Sequence, residues 1–179
     1  MPDGEILYLL ADDKTGLPDT YVIRYIYVVI RPSGVSPGTL KAKLRGIRIG
    51  LTLLRRLEVD IEERIATGRF LDREELNRLR ENCFSRANGD GRISGRAASH
   101  FYSTFIDYFA FRVDEVIQYA PKSDHAMIAA ARKEFLDRAG RHRPRGADGV
   151  QPNERLGLEH PARELLLQVI RPGHPGNPF

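Results

Sequence analysis

The sequence predicts a mainly α fold, a helical bundle preceded by a short N-terminal strand and helix element. Three observations carry that expectation. Apolar residues recur at three- and four-residue spacing through Leu40–Leu54 and Ala98–Val116. Both runs open on a serine suited to cap a helix, Ser36 and Ser94. Apart from the first dozen residues, no stretch reads as a clear strand.

Taken in order, Gly4 to Ala11 reads as a short strand, followed by a turn in "DDKTG" where Gly16 can take positive φ. The segment after Pro18, "YVIRYIYVVI", has the β-branched and aromatic content of a strand. Proline suits a first helical turn, however, and helix is the preferred reading. "RPSGVSPG" breaks that element. The first long helix then starts at Ser36 with Pro37 behind it and buries Leu40, Leu44, Ile47, Leu51 and Leu54. A short helical piece from Glu58 to Ala66 ends at Gly68. "LDREELNRLREN" begins the next helix, with Asp72 as cap and Glu75 as its capping-box partner. "SRANGDGR" is a loop. The second long helix, capped by Ser94, presents Ala98, Phe101, Phe105, Tyr108, Phe109 and Val116 to the core and Arg96, His100, Ser103 and Asp107 to the outside; Tyr102 lies at the boundary. A helix from about His125 to Ala139 buries Ile128, Ala131, Phe135 and Leu136. "GRHRPRGADGVQPNERLG" reads as a loop or linker, and a last short helix, Pro161 to Ile170, precedes the tail "RPGHPGNPF".

At 179 residues the chain is long enough to bury a core without covalent staples. Its single cysteine, Cys83, cannot form an internal disulfide, so a cytoplasmic protein is expected. "MPDGEILYLL" lacks the basic start of a signal peptide, and the most apolar run, Tyr21 to Ile30, is short and contains Arg24, so no membrane span is expected. The five histidines are scattered and make no zinc spacing, and neither a phosphate loop nor a dinucleotide fingerprint appears. "RANGDGRISGRA" matches a calcium loop at its third, fifth and sixth positions, but Arg86 and Ala97 stand where the first and twelfth ligands belong. No cofactor, metal or catalytic residue is therefore expected. Glu62–Glu63 and Glu74–Glu75 are adjacent carboxylates that point apart on a helix, and they read as solvated surface.

Charge is more informative. The net charge is +4, with a pI near 9.4, but its distribution is uneven. Residues 1–35 carry five acids against three cations, whereas Ser33 to Arg56 carries Lys41, Lys43, Arg45, Arg48, Arg55 and Arg56 without one acid. Lys41, Arg45, Arg48 and Arg55 form a stripe beside the apolar face. A second basic run, "RAGRHRPR", holds Arg138, Arg141, Arg143 and Arg145 and again has no acid. Clustered cations are the footprint of a polyanion, duplex DNA above all, although a charge run is also an ordinary solvated face. On the second Ser-led helix, Arg96, His100, Ser103 and Asp107 fall in one row. Arg and His near a helix N-terminus can reach base edges or phosphates in a major groove, and Ser99 can add a phosphate contact.

The order "VSPGTLKAKLRGIRIGLTLLRRLEVDIEERI", "FLDREELNRLR", "ISGRAASHFYSTFIDYFAF" and "HPGNPF" resembles the front half of the tyrosine-type site-specific recombinases, the phage-integrase family. The similarity covers roughly Gly34 to Ala120, the last few residues and, more weakly, "TGLP". It implies an N-terminal element over residues 1–33 and a helical, SAM-like core-binding domain over 34–140 that clamps double-stranded DNA at a recombination-site arm. Residues 141–179 would then lead towards a catalytic domain. By that resemblance Arg96, Ser99, His100 and Ser103 face DNA, and Lys41, Lys43, Arg45 and Arg48 hold backbone phosphates. Arg92, Arg141, Arg143 and Arg145 complete the candidate DNA-binding set, with further recombinase protomers as possible partners on DNA. Pro121 to about Pro152 departs from the shorter family pattern.

Family chemistry needs a tyrosine nucleophile after a His-x-x-Arg element. His142–Arg145 and His160–Arg163 fit that element by letter, but the last tyrosine is Tyr119. The expectation is DNA binding with the cleavage chemistry outside this chain. A non-enzymatic DNA-binding regulator and a helical module for an acidic protein partner are the alternatives.

Overall fold

The computed structural model describes residues 8–11, 15–85 and 91–146, and most of these are helical. The N-terminal segment, with its strand-like composition, is helix. Asp19, not Pro18, is the cap of α1 (Thr20–Tyr25), its carboxylate accepting from the Tyr21 and Val22 amides at 2.9 and 3.0 Å. The helix widens into a π turn over Ile26–Ile30 and tightens to a 3₁₀ turn at Arg31–Ser33, ending on Gly34 at φ 63°. Val22, Tyr25, Ile26 and Ile30 are buried along it, a spacing that only a helix presents to one side. The expected strand fails where it can be seen. Tyr8–Leu10 are irregular, and Ala11 makes a single isolated bridge to Pro18 around the Gly16 turn. Gly4–Leu7 lie outside the described residues, as do Asp12–Lys14, Arg86–Asp90 and everything from Ala147, including the expected helix at Pro161–Ile170.

The remaining helices are α2 (Pro37–Arg56), α3 (Ile61–Ala66), α4 (Arg73–Phe84), α5 (Gly95–Tyr119) and α6 (Lys122–His142). Local chemistry starts them as expected. Ser36, Asp72 and Ser94 accept from the Thr39, Glu75 and Ala97 amides, and Glu75 closes its capping box on the Asp72 amide at 2.8 Å. The piece expected from Glu58 begins only at Ile61, because Glu58 takes a left-handed turn at φ 55° and Asp60 becomes the cap. Gly68, at φ 66°, terminates it.

α5 is the hub, packed against α1, α2, α3, α4 and α6. Its closest neighbour is α2, and two glycines set that distance. A methyl on Gly46 would stand 2.7 Å from the Phe101 carbonyl oxygen, and one on Gly50 would stand 2.1 Å from the Phe105 ring. The seam therefore requires glycine at both places. Leu53 replaces Leu51 in the buried stripe of α2, since Leu51 is only partly covered. On the other side of α5, the rings of Phe70, Phe109 and Phe135 meet at 5.1–6.1 Å and tie the α3–α4 connection to α5 and α6. Tyr102 is core, and its hydroxyl donates to the Ala139 carbonyl at 3.0 Å.

One surface expectation is refined and another corrected. Glu62 is paired with Arg112, whose side chain is 4% exposed, lies 3.3 Å from the Tyr21 ring centroid and ties α1, α3 and α5 together. Glu75 is buried and binds Arg64 at 2.7 Å as well as capping α4. Only Glu75 leaves the surface; Glu62 stays more than half exposed, as expected, but is paired with a cation that sequence adjacency does not reveal. Among the described residues, no helix is long and apolar enough to cross a membrane.

Candidate nucleic-acid interface

Three cations of the expected α2 stripe come together on one face. Lys41, Arg45 and Arg48 of α2 line an open cleft of about 470 Å³ whose floor is Leu44, Phe101 and the Tyr8–Leu10 segment. Arg45 lies 4.8 Å from the centre of the Phe101 ring and donates to the Ser85 carbonyl at 3.3 Å. Lys41 lies 5.9 Å from the centre of the Tyr8 ring. These cations are steered by aromatic faces and a carbonyl, so they keep their charge.

Lys43 does not line that cleft; it acts electrostatically on His100 and Asp107 of α5, and Arg143, beyond the end of α6, acts likewise on Asp107. Arg143 Nε donates to Ser99 Oγ at 2.8 Å. A cation from α2 and one from the chain after α6 thus act on the α5 row that carries Arg96, Ser99 and His100. Ser103 is half-buried beside them. Desolvation, with Lys43 adding to it, pushes the His100 imidazole below its ordinary value. Desolvation holds Asp107 above the ordinary carboxylate range, with Lys43 and Arg143 pulling the other way. Asp107 is the one acid in the row and opposes an anion at this face.

The second basic run divides. Arg138 does meet an acid, pairing with Glu134 at 2.6 Å one turn earlier. Gly140–His142, expected in a linker, continue α6. Beyond it, Arg143 is extended at ψ 131°, as the residue before a proline must be, and Pro144 is buried. Arg141, Arg143 and Arg145 line a small cleft of about 260 Å³ with Arg80 and His142. Arg92 is engaged elsewhere, bound by Glu81 at 3.0 Å and lying 4.6 Å from the Phe84 ring centroid.

Arg80 and His142 were not in the predicted set. A signal for this face does exist in α4: Arg73, Asn77 and Arg80 recur at i, i+4 and i+7, one polar row on a capped helix. Among the described residues, no group of His, Cys, Asp and Glu side chains comes together to hold a metal ion. No protein-family model, curated protein or solved structure matches this chain.

Proposed function

We propose that this chain binds duplex DNA in the manner of the core-binding half of a tyrosine-type site-specific recombinase, in the cytoplasm, with no cleavage step assigned to it. One observation carries the reading. Lys43 and Arg143, a hundred positions apart in sequence, both act on the start of α5: Arg143 donates to Ser99 and Lys43 lies within electrostatic reach of His100, while Arg96 projects to solvent. A helix whose N-terminal half carries Arg, Ser and His beside cations from two other segments suits a major groove, side chains towards the bases and the added cations towards the phosphates. Lys41, Arg45 and Arg48 extend the positive surface along α2.

The test is selection of the purified chain against random duplex DNA at near-physiological salt, with sequencing of the retained pool. The expected result is enrichment of one short arm sequence, lost in Arg96→Ala, and log K falling by about 0.9 per neutralised phosphate as log salt rises. A flat salt dependence with no enrichment overturns it. A second reading has its own observation: the cleft of Tyr8–Leu10 and Phe101 has an apolar floor and a rim of Lys41, Arg45 and Arg48, which fits an acidic amphipathic peptide. Duplex DNA would then fail to displace that peptide.

A further inference from the structure

The cleft between α4 and the end of α6 is built differently from the rest of the charged surface. Its lining is Arg80, Arg141, His142, Arg143 and Arg145, without a carboxylate. Most arginines elsewhere for which an ion pair is seen meet an acid at short range, as in Arg64–Glu75, Arg92–Glu81 and Arg132–Asp114. Arg80 lies 3.8 Å from Glu81, but the partners that orient Arg143 and His142 are neutral. Ser99 Oγ accepts from Arg143 Nε at 2.8 Å, and Asn77 Oδ1 lies 2.8 Å from His142 Nδ1. A serine or an amide fixes the direction of a cation without cancelling its charge.

With Nε taken by Ser99, the two terminal nitrogens of Arg143 remain as a fork for an oxyanion. With Nδ1 engaged by Asn77, His142 has Nε2 left to donate once protonated. The buried Pro144 and the extended Arg143 make this a shaped wall, not a loose arm. About 260 Å³ is several times the roughly 30 Å³ share of a water molecule, which leaves room for a tetrahedral group.

We propose that this cleft is a phosphate-binding site, with Arg141 and Arg143 as its principal donors and His142 as a donor recruited by the ligand. The site would take a phosphate oxyanion either from a nucleic-acid backbone or from a small phosphate compound. It shares Arg143 with the proposed function but needs only the phosphate chemistry, so it can hold where that reading fails. Its proton linkage follows from its surroundings. The His142 imidazole is held below its ordinary value by desolvation and by Arg73 and Arg80 of α4 and Arg138 and Arg141 of α6. Arg143 and Arg145 add to the positive surroundings from beyond α6. An anion among these cations reverses that bias, so binding takes up a proton and tightens as pH falls.

The experiment is a titration of the full chain with inorganic phosphate at constant ionic strength, followed by NMR of the histidine ring protons. The chain has five histidines, and His142→Gln assigns the one that matters. A saturable shift of His142 that chloride does not reproduce, with a raised pKa for that ring, is the expected result. Arg141→Gln and Arg143→Gln, checked for fold by circular dichroism, should each weaken it roughly tenfold, the size of a lost charge-assisted hydrogen bond.

A short duplex then identifies the source. Displacement of phosphate from His142 by duplex assigns the cleft to the DNA backbone, and phosphate binding that duplex does not displace assigns it to small phosphate compounds. If phosphate binds and duplex binds nowhere, the cleft stands and the DNA reading falls. If phosphate gives no saturable shift, or chloride gives the same one, and a duplex that binds by fluorescence anisotropy leaves His142 unmoved, the cleft proposal falls and DNA binding survives.

Discussion

Two faces of α4 carry similar numbers of arginines and put them to opposite uses. On one, Arg64, Arg69 and Arg78 share an open cleft of about 520 Å³ with Glu58, Asp60, Glu63, Asp72, Glu74 and Glu75. On the other, the row that holds Asn77 and Arg80, Arg80 shares the smaller cleft with three arginines and His142. The first set is interleaved with acids and is spent on the fold: Glu75 caps the helix and binds Arg64 at 2.7 Å. In the second set, Arg80 lies 3.8 Å from Glu81, but Ser99 and Asn77 orient Arg143 and His142 without neutralising them. Charge count alone would not separate these regions. What separates Arg64 from Arg143 is whether the group that orients the cation also cancels it.

The largest expected effect is on the first face. Glu75→Ala removes the reciprocal cap on Asp72 and strips Arg64 of its carboxylate in a half-buried place. A loss on the order of 2–3 kcal/mol is expected, as the sum of a helix cap and a broken, partly buried pair. Urea denaturation measures it. DNA affinity of the folded protein should not change, because this cleft shares no residue with the candidate interface. A loss below about 0.5 kcal/mol would mean that the acids here are as dispensable as ordinary surface residues.

Arg143→Gln should do the reverse. The side chain is exposed and its partner is a neutral hydroxyl, so stability should stay within about 0.5 kcal/mol. Duplex affinity should fall roughly tenfold, and the salt dependence should lose about one unit of slope. Anisotropy titrations at several salt concentrations read both. If the substitution instead costs stability and spares affinity, the contrast between the two faces collapses.

How much of this was legible depends on how far each partner lies along the chain. Ser36, Asp72 and Ser94 were visible as caps because a cap acts on an amide three residues away. The pairing of Arg138 with Glu134 is equally local, a helical i,i+4 step that hides as soon as the basic run is counted from Arg138 onward. The helix at Tyr21–Ile30 was ambiguous because composition favours a strand, whereas burial of Val22, Tyr25, Ile26 and Ile30 decides for helix. The cations of the candidate site could be named from sequence. Their arrangement could not, because Arg143 meets Ser99 from 44 positions away and His142 meets Asn77 from 65. The Gly46 and Gly50 seam was hidden for the same reason: a glycine shows no need for closeness until its neighbour, Phe101 or Phe105, is in place.

The contrast also predicts a pH signature. Burial first, and neighbouring cations second, hold His100 and His142 below their ordinary value of about 6.5 in the folded chain. For His100 the cation is Lys43; for His142 they are Arg73, Arg80, Arg138 and Arg141. Between the depressed value and the ordinary one, the unfolded chain binds protons that the folded chain does not. Stability should therefore decline as pH falls through about 6.5, and His142→Gln should flatten that decline. Denaturation midpoints between pH 5 and 7 measure the slope. Bound duplex should cancel part of it by supplying the missing negative charge, and calorimetry in buffers of different ionisation enthalpy would register the proton taken up. No acid-side slope in the free protein would mean that these imidazoles do not feel the cations around them.

The smallest effect sharpens the comparison most economically. Arg78 is bound by Glu74 one turn before it, and both side chains are more than half exposed, at 52% and 72%. The pair sits in the same interleaved cleft as Glu75. Exposed i,i+4 pairs are nevertheless screened by water and must restrain two long side chains, so Arg78→Ala should cost no more than about 0.5 kcal/mol. Its effect on duplex binding should also be slight, since the lost charge was already matched by Glu74. If Arg78→Ala weakened DNA binding as much as Arg143→Gln, overall positive charge would govern the interaction. If it does not, what matters is the placement of Arg141 and Arg143 beside α4, where Ser99 orients Arg143 without neutralising it.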